Sequence, residues 1–232
     1  MPRPVCGVRS GREKPLATRQ VAAVQHRYFG NFRPVQFGIR TVKQREEDRG
    51  SFILNVSLPL GKMVRQLRIR LTDNRAVELG AGTSLPGLVA AKIGADVVLT
   101  DDFHKHEVLE NMRRICNLNK LDCKIVGLTW GEWDASLFEL QPHIILGADV
   151  FYDSTDFDDL FATVAFLLQN SRECVFITTY HNRSGHHLID FLMVKWGLKC
   201  LKLLDGFSFI PAYKASALQG NIQLVEIAIE EK

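Results

Sequence analysis

Val77-Glu78-Leu79-Gly80-Ala81-Gly82-Thr83-Ser84-Leu85-Pro86-Gly87 reads as an apolar strand, a glycine turn and the start of a helix, with Ser84 as its expected N-cap. Glycines at such a turn tolerate positive φ and let a ligand approach the backbone closely. In doubly wound sheets ligands sit at the C-terminal strand ends, where this turn would lie. Two cofactor classes use that geometry. Dinucleotide enzymes require a third glycine three residues after the second, and Leu85 stands there instead. An acid two residues before the first glycine, Glu78, suits a cationic sulfonium cofactor with an α-amino group, not a pyrophosphate.

Moving C-terminally, short β-branched runs alternate with helical-length segments. Strands are expected at Arg75–Leu79, Asp96–Thr100, Cys123–Leu128, His143–Ala148, Cys174–Tyr180, Lys199–Leu204 and Ile222–Ile229. Helices are expected at Ser84–Ile93, Lys105–Asn119, Phe157–Gln169 with Asp156 as N-cap, and Gly185–Lys195. The alternation predicts βαβ units: an α/β, doubly wound, mostly parallel seven-stranded sheet covered on both faces. Asp205–Asn221 shows no helical period, so the last two strands are expected to form a C-terminal antiparallel hairpin with a long loop.

The strand ends supply the other site candidates. Asp101 closes the second strand, 19 residues after Gly82, where a carboxylate accepts hydrogen bonds from both ribose hydroxyls; Asp102 is held in reserve. Leu128-Thr129-Trp130-Gly131 follows the third strand. Trp130 is placed to cover adenine, with Gly131 leaving room beside it. The fourth strand ends Leu146-Gly147-Ala148-Asp149-Val150-Phe151-Tyr152. There the small Gly147 and Ala148 would admit the cofactor, and Asp149 and Tyr152 would face the transferred methyl group.

These four motifs, in this order, resemble the seven-β-strand protein methyltransferases that modify lysine or arginine side chains. The resemblance spans about two-thirds of the chain, from Ala76 to Lys232. It implies a Rossmann-like class I methyltransferase domain over 75–232, with S-adenosylmethionine bound by Glu78, Gly80, Gly82, Asp101, Trp130 and Ala148. It also implies a protein substrate, histone included, and an acid-x-x-aromatic pair at Asp149 and Tyr152. One departure stands out: such proteins usually carry a Trp-Pro-containing helix before the first strand, whereas 50–74 hold no Trp and the first Trp is Trp130. A catalytically silent methyltransferase fold that binds or regulates is therefore the competing expectation. A nucleic-acid substrate is disfavoured, since no Asn/Asp-Pro-Pro-aromatic motif follows the fourth strand. The histidines and acids show no recognised ligand spacing, so no metal is expected.

The chain has 232 residues, 46% of them hydrophobic, enough for one sizeable core. No run approaches the ~20 apolar residues that span a bilayer, and Met1–Lys14 lacks the apolar stretch of a secretory leader. The 5 cysteines form no CxxC pair, which points to reduced thiols and a cytoplasmic or nuclear setting. Charge is split: residues 1–75 hold 16 Lys+Arg against 5 Asp+Glu, a balance of +11, and residues 76–232 hold 13 against 21, a balance of −8. Residues 1–50 are basic, interrupted by prolines and without sustained period. They read as a poorly ordered N-terminal extension, a composition also open to nucleic-acid contact or organelle transit; 51–74 form a lead-in of mixed pattern. A chain beginning at Gly50 is accordingly expected to melt at the same temperature as the full chain. A large drop in a calorimetric scan would show that the basic segment packs on the core.

Overall fold

In the computed structural model, residues 59–64, 66, 71–171, 173–181, 186–209 and 221–230 are described, all within the unit Phe37–Lys232. The expected order of the basic segment 1–50 lies outside the described residues, as do parts of the lead-in and of the last long loop.

Five strands run parallel: β1 (Arg75–Glu78), β2 (Asp96–Asp101), β3 (Lys124–Gly127), β4 (Ile144–Ala148) and β5 (Val175–His181). Two more, β6 (Leu198–Asp205) and β7 (Ile222–Ile229), complete a seven-stranded sheet of order β3-β2-β1-β4-β5-β7-β6. The expected hairpin forms, but β7 inserts between β5 and β6, antiparallel to both. The strand order reverses at β1, which pairs with β2 on one side and β4 on the other. That reversal opens the crevice in which ligands of doubly wound sheets bind.

Alternation along β1 explains the two cores. Val77 and Leu79 face one layer with Ile145, Phe161, Val164 and Phe176. Ala76 faces the other with Leu88, Val97, Leu99 and Ile144. Helices α3 (Ala135–Phe138), α4 (Phe157–Asn170) and α5 (His186–Lys195) contribute to the first layer. Helices α1 (Leu85–Lys92) and α2 (His106–Asn119) cover the second. The lead-in joins this second layer. Residues 59–64 are helical, and Leu60, Met63 and Val64 are buried beside Leu85 and Val89. Cys116, Cys123 and Cys174 are buried free thiols and Cys200 an exposed one. No helix of the described residues is long and apolar enough to cross a membrane.

Two caps differ from expectation. Ser84 holds the N-cap position of α1 with φ 58° and makes no side-chain cap bond. A capping side chain reaches N2 or N3 from extended backbone; here Pro86 at N2 has no N–H, and Gly87 N at N3 donates to Glu78 Oε2 at 2.8 Å. Asp156 likewise sits at the N-cap of α4 in helical backbone, φ −94°, and caps nothing. Gly87 explains how closely α1 lies on the sheet: a Cβ there would stand 2.4 Å from Leu99 Cδ2 and 2.5 Å from Glu78 Oε2. Gly87→Ala is therefore expected to destabilise the fold by about 1–3 kcal/mol in urea unfolding, despite alanine's better helix propensity. Unchanged stability would mean that α1 can slide off β1 freely.

Candidate cofactor and methyl-transfer site

The glycine turn, the end of β2, the β3 loop and the end of β4 converge on one cradle. Gly80 and Gly82 have φ +56° and +46°, the left-handed region where glycine is favoured. Over Gly82 the space is open, since a Cβ there would meet only the Gly80 carbonyl at 4.0 Å. Over Gly80 it is not: a Cβ would stand 2.9 Å from the Trp130 ring and 3.4 Å from Val150 Cγ1. The indole of Trp130 thus forms one wall of the turn, and the residue after Asp149 touches the same glycine.

Asp101 ties β2 to the turn. Its Oδ2 accepts from Gly82 N at 2.9 Å and its Oδ1 from Asp102 N at 3.0 Å. Each carboxylate oxygen has a second lone pair, so the group keeps the capacity to accept two hydroxyls. Burial raises its pKa against the lowering by the Gly82 and Asp102 amides. Asp102 turns away to Thr129 Oγ1 and His104 N, both at 3.1 Å. Its neighbour Lys105 lies 3.7 Å from Asp102 Oδ2.

Glu78 is almost wholly buried and reaches under α1 to Gly87 instead of into the open cradle. It supplies the cap that Ser84 does not, and so holds the helix that follows the glycine turn. Burial is the main cause that pushes its pKa up to about 8, opposed by the Gly87 amide. The sign follows: the folded protein holds a proton that the unfolded chain releases near 4.5, so this contribution to stability fades as pH rises toward 8. Glu78→Gln, which keeps the shape and the acceptor, is expected to gain stability relative to the parent chain over that window in denaturant titrations. A difference independent of pH would show that Glu78 ionises freely.

Two small residues serve packing, contrary to expectation. A Cβ at Gly131 would stand 2.6 Å from Asp159 Oδ1, and Gly131 N donates to Thr163 Oγ1 at 3.0 Å. The room at Gly131 is filled by α4 and not left for adenine. At Gly147 a Cβ would approach the Phe176 ring at 3.0 Å and Val150 at 3.1 Å, so that space belongs to the core. Ala148, half-buried at the end of β4, packs toward the α1 and α2 layer.

Asp149 is buried and left-handed, φ +55°. Its N–H is fixed to the Thr179 carbonyl at 2.7 Å. Asp tolerates this conformation better than most residues, and such strain clusters at functional positions. Phe151 anchors the loop from below, its ring 5.4 Å from those of Phe157 and Phe161 and 5.7 Å from Tyr180. Tyr152 emerges beyond it, exposed. Burial raises the pKa of its phenol, and the charges of Lys105, Asp156, Asp101 and Asp153 all act on it. The cradle and the Asp149–Tyr152 loop therefore lie together at the C-terminal ends of the parallel strands.

A family model described as lysine methyltransferase matches residues 50–194. The chain belongs to the lysine methyltransferase family. Family membership makes it a protein methyltransferase whose methyl donor is S-adenosylmethionine. The histone-arginine methyltransferase METTL23 of Xenopus laevis is 38% identical to it over 189 residues, covering 79% of this chain and 81% of the relative. The protein N-lysine methyltransferase METTL21A of Mus musculus is 32% identical over 144 residues, covering 58% and 65%. In fold, the methyltransferase is similar to an S-adenosylmethionine-dependent methyltransferase from Clostridium acetobutylicum, with a TM-score of 0.60 at 10% identity, covering 80% of this chain and 99% of that one. The cradle suits the cofactor: open glycine backbone, an aromatic wall and a carboxylate with spare acceptor capacity match a nucleoside with an amino-acid tail.

Proposed function

We propose that this methyltransferase modifies a lysine or arginine side chain in a basic segment of a protein, histone tails being the first to try. Asp149 carries the reading: a buried carboxylate held in left-handed backbone beside the cradle, followed three residues on by an exposed tyrosine. When bound, S-adenosylmethionine supplies an electrophilic methyl on a sulfonium and leaves as the neutral thioether. Asp149 would receive and orient the cationic side chain and strip its water. The nitrogen must give up a proton to free its lone pair before it takes the methyl, and the carboxylate then stabilises the positive charge that builds on it as the carbon–sulfur bond breaks. Tyr152 adds a cation–π wall or a hydroxyl acceptor. Glu78, through Gly87, holds the helix behind the turn; Asp101 and Trp130 hold ribose and adenine.

The surrounding acids count less than their number suggests. Asp158 is ion-paired with Lys195 and also accepts from Trp196, whereas Asp153, which closes an exposed turn with Thr155, keeps its charge. The field that attracts a basic peptide is read from Asp149 and Asp153 together with the net −8 of residues 76–232. The reduced thiols support work in the cytoplasm or nucleus. The test is purified core histones incubated with the chain and S-adenosylmethionine. Expected is a methyl mass gain on Lys or Arg that declines as salt rises. S-adenosylhomocysteine binding without methylation of any basic peptide would favour the silent, regulatory fold that the Trp-free lead-in suggests.

A further inference from the structure

An aromatic face lies outside the cofactor site, on the layer formed by α3 and α4. Trp133 is 50% exposed and Phe138 55% exposed. Both rings meet the half-buried Phe166 edge-on, at centroid distances of 5.2 and 5.5 Å. Single exposed apolar residues need no explanation, but three touching rings make a patch of the kind that marks an interaction site. The patch is also built rigidly. Phe138 rides on the one-turn helix α3, fixed by the fully buried Leu137 and capped by Asp134, whose Oδ1 accepts from Leu137 N at 3.0 Å. Phe166 is rooted in the core below.

Its chemistry selects the occupant. The exposed acids Glu132, Asp134 and Glu139 flank the rings in sequence, and Lys124, 3.8 Å from Glu139, is the cation paired with this rim. Aromatic anchors inside an acidic rim fit a basic segment that carries bulky apolar side chains. Position connects the face to the reaction. Trp133 follows three residues after Trp130, and Gly131 is bonded to Thr163, nearly one helical turn before Phe166. From Phe157, at the catalytic end of α4, to Phe166 is about 14 Å along the helix, a distance that about four extended residues span.

We propose that Trp133, Phe138 and Phe166 form an exosite for a basic, apolar-containing segment of the substrate, about four or more residues from the side chain that is methylated. The assignment of the occupant as substrate rests on the protein-substrate reading above. The probe is a peptide of alternating Lys and Leu titrated into the full chain, followed by the tryptophan indole N–H signals. The Trp133 signal should shift and that of Trp196 stay. The Trp133→Ala/Phe138→Ala variant should bind the peptide about tenfold more weakly, with S-adenosylhomocysteine affinity unchanged as proof of an intact fold. A peptide of equal charge with Ser for Leu should bind about as weakly as the variant does. An unmoved Trp133 signal, or wild-type affinity in the double variant, overturns the exosite.

On core histones the same variant should raise KM about tenfold and leave kcat unchanged. Weakened peptide binding with an unaltered KM overturns the substrate assignment. If the parent chain methylates no protein at all, the substrate reading falls by itself, and the peptide titration still decides whether the face binds.

Discussion

Replacing Asp149 with alanine is expected to lower kcat by about 100-fold or more while S-adenosylhomocysteine affinity stays within about threefold. The cradle contacts lie elsewhere: Gly82 is held by Asp101, and Trp130 packs on Gly80. On the proposed mechanism, what the variant loses is a fixed negative charge where a cation develops. Two unit charges 4 Å apart interact by roughly 4 kcal/mol at the effective dielectric of a protein surface, so part of that alone covers the expected loss. Alanine at φ +55° adds a backbone cost of about 1 kcal/mol, which Asp149→Asn avoids because Asn tolerates the left-handed region. The two variants should therefore lose turnover together but differ in melting temperature. Full turnover in Asp149→Asn would show that the charge is unimportant and only the loop shape matters.

Asp101→Ala is expected to weaken S-adenosylhomocysteine binding by about 10- to 100-fold, the loss of charge-assisted hydrogen bonds worth about 1–3 kcal/mol. It removes the carboxylate proposed to accept from the ribose and also the tether on Gly82 N. Asp101→Asn keeps one acceptor and should fall between. Isothermal calorimetry reads both, and affinity unchanged in the alanine variant would remove Asp101 from the site. The reserve candidate, Asp102, is committed to Thr129 and His104, so Asp102→Ala should cost less cofactor affinity than Asp101→Ala.

The parallel part of the sheet was legible where a β-branched run precedes a helix with a clear period, as in Asp96–Asp101 followed by His106–Asn119. The insertion of β7 between β5 and β6 was not, since two antiparallel neighbours leave the same local pattern in either order. Four-residue α3 is too short to show a period, though Asp134 before the apolar Leu137 was an available N-cap signal. In the lead-in helix the described residues 59–64 offered only Leu60, Met63 and Val64, an i, i+3, i+4 triplet.

That Gly80, Gly82 and Asp101 meet at one turn was legible, because a strand-to-helix glycine turn and an acid at the end of the next strand are local signals. Glu78 and Gly87 could not be paired from sequence. Their bond depends on Ser84 adopting the left-handed region and on Pro86 lacking an N–H, a local conflict that only tertiary packing resolves. Gly131 and Gly147 show the opposite failing: a glycine leaves space, and sequence does not say whether a ligand or a neighbouring side chain fills it.

The most direct test is tritiated methyl transfer from S-adenosylmethionine into a whole-cell lysate by the purified chain, followed by separation of protein from nucleic acid and identification of the labelled residue. Label is expected in protein, on lysine or arginine within a basic stretch, and absent with the Asp149→Ala variant. Label recovered in RNA or DNA, or in protein at equal levels with that variant, would contradict the assignment.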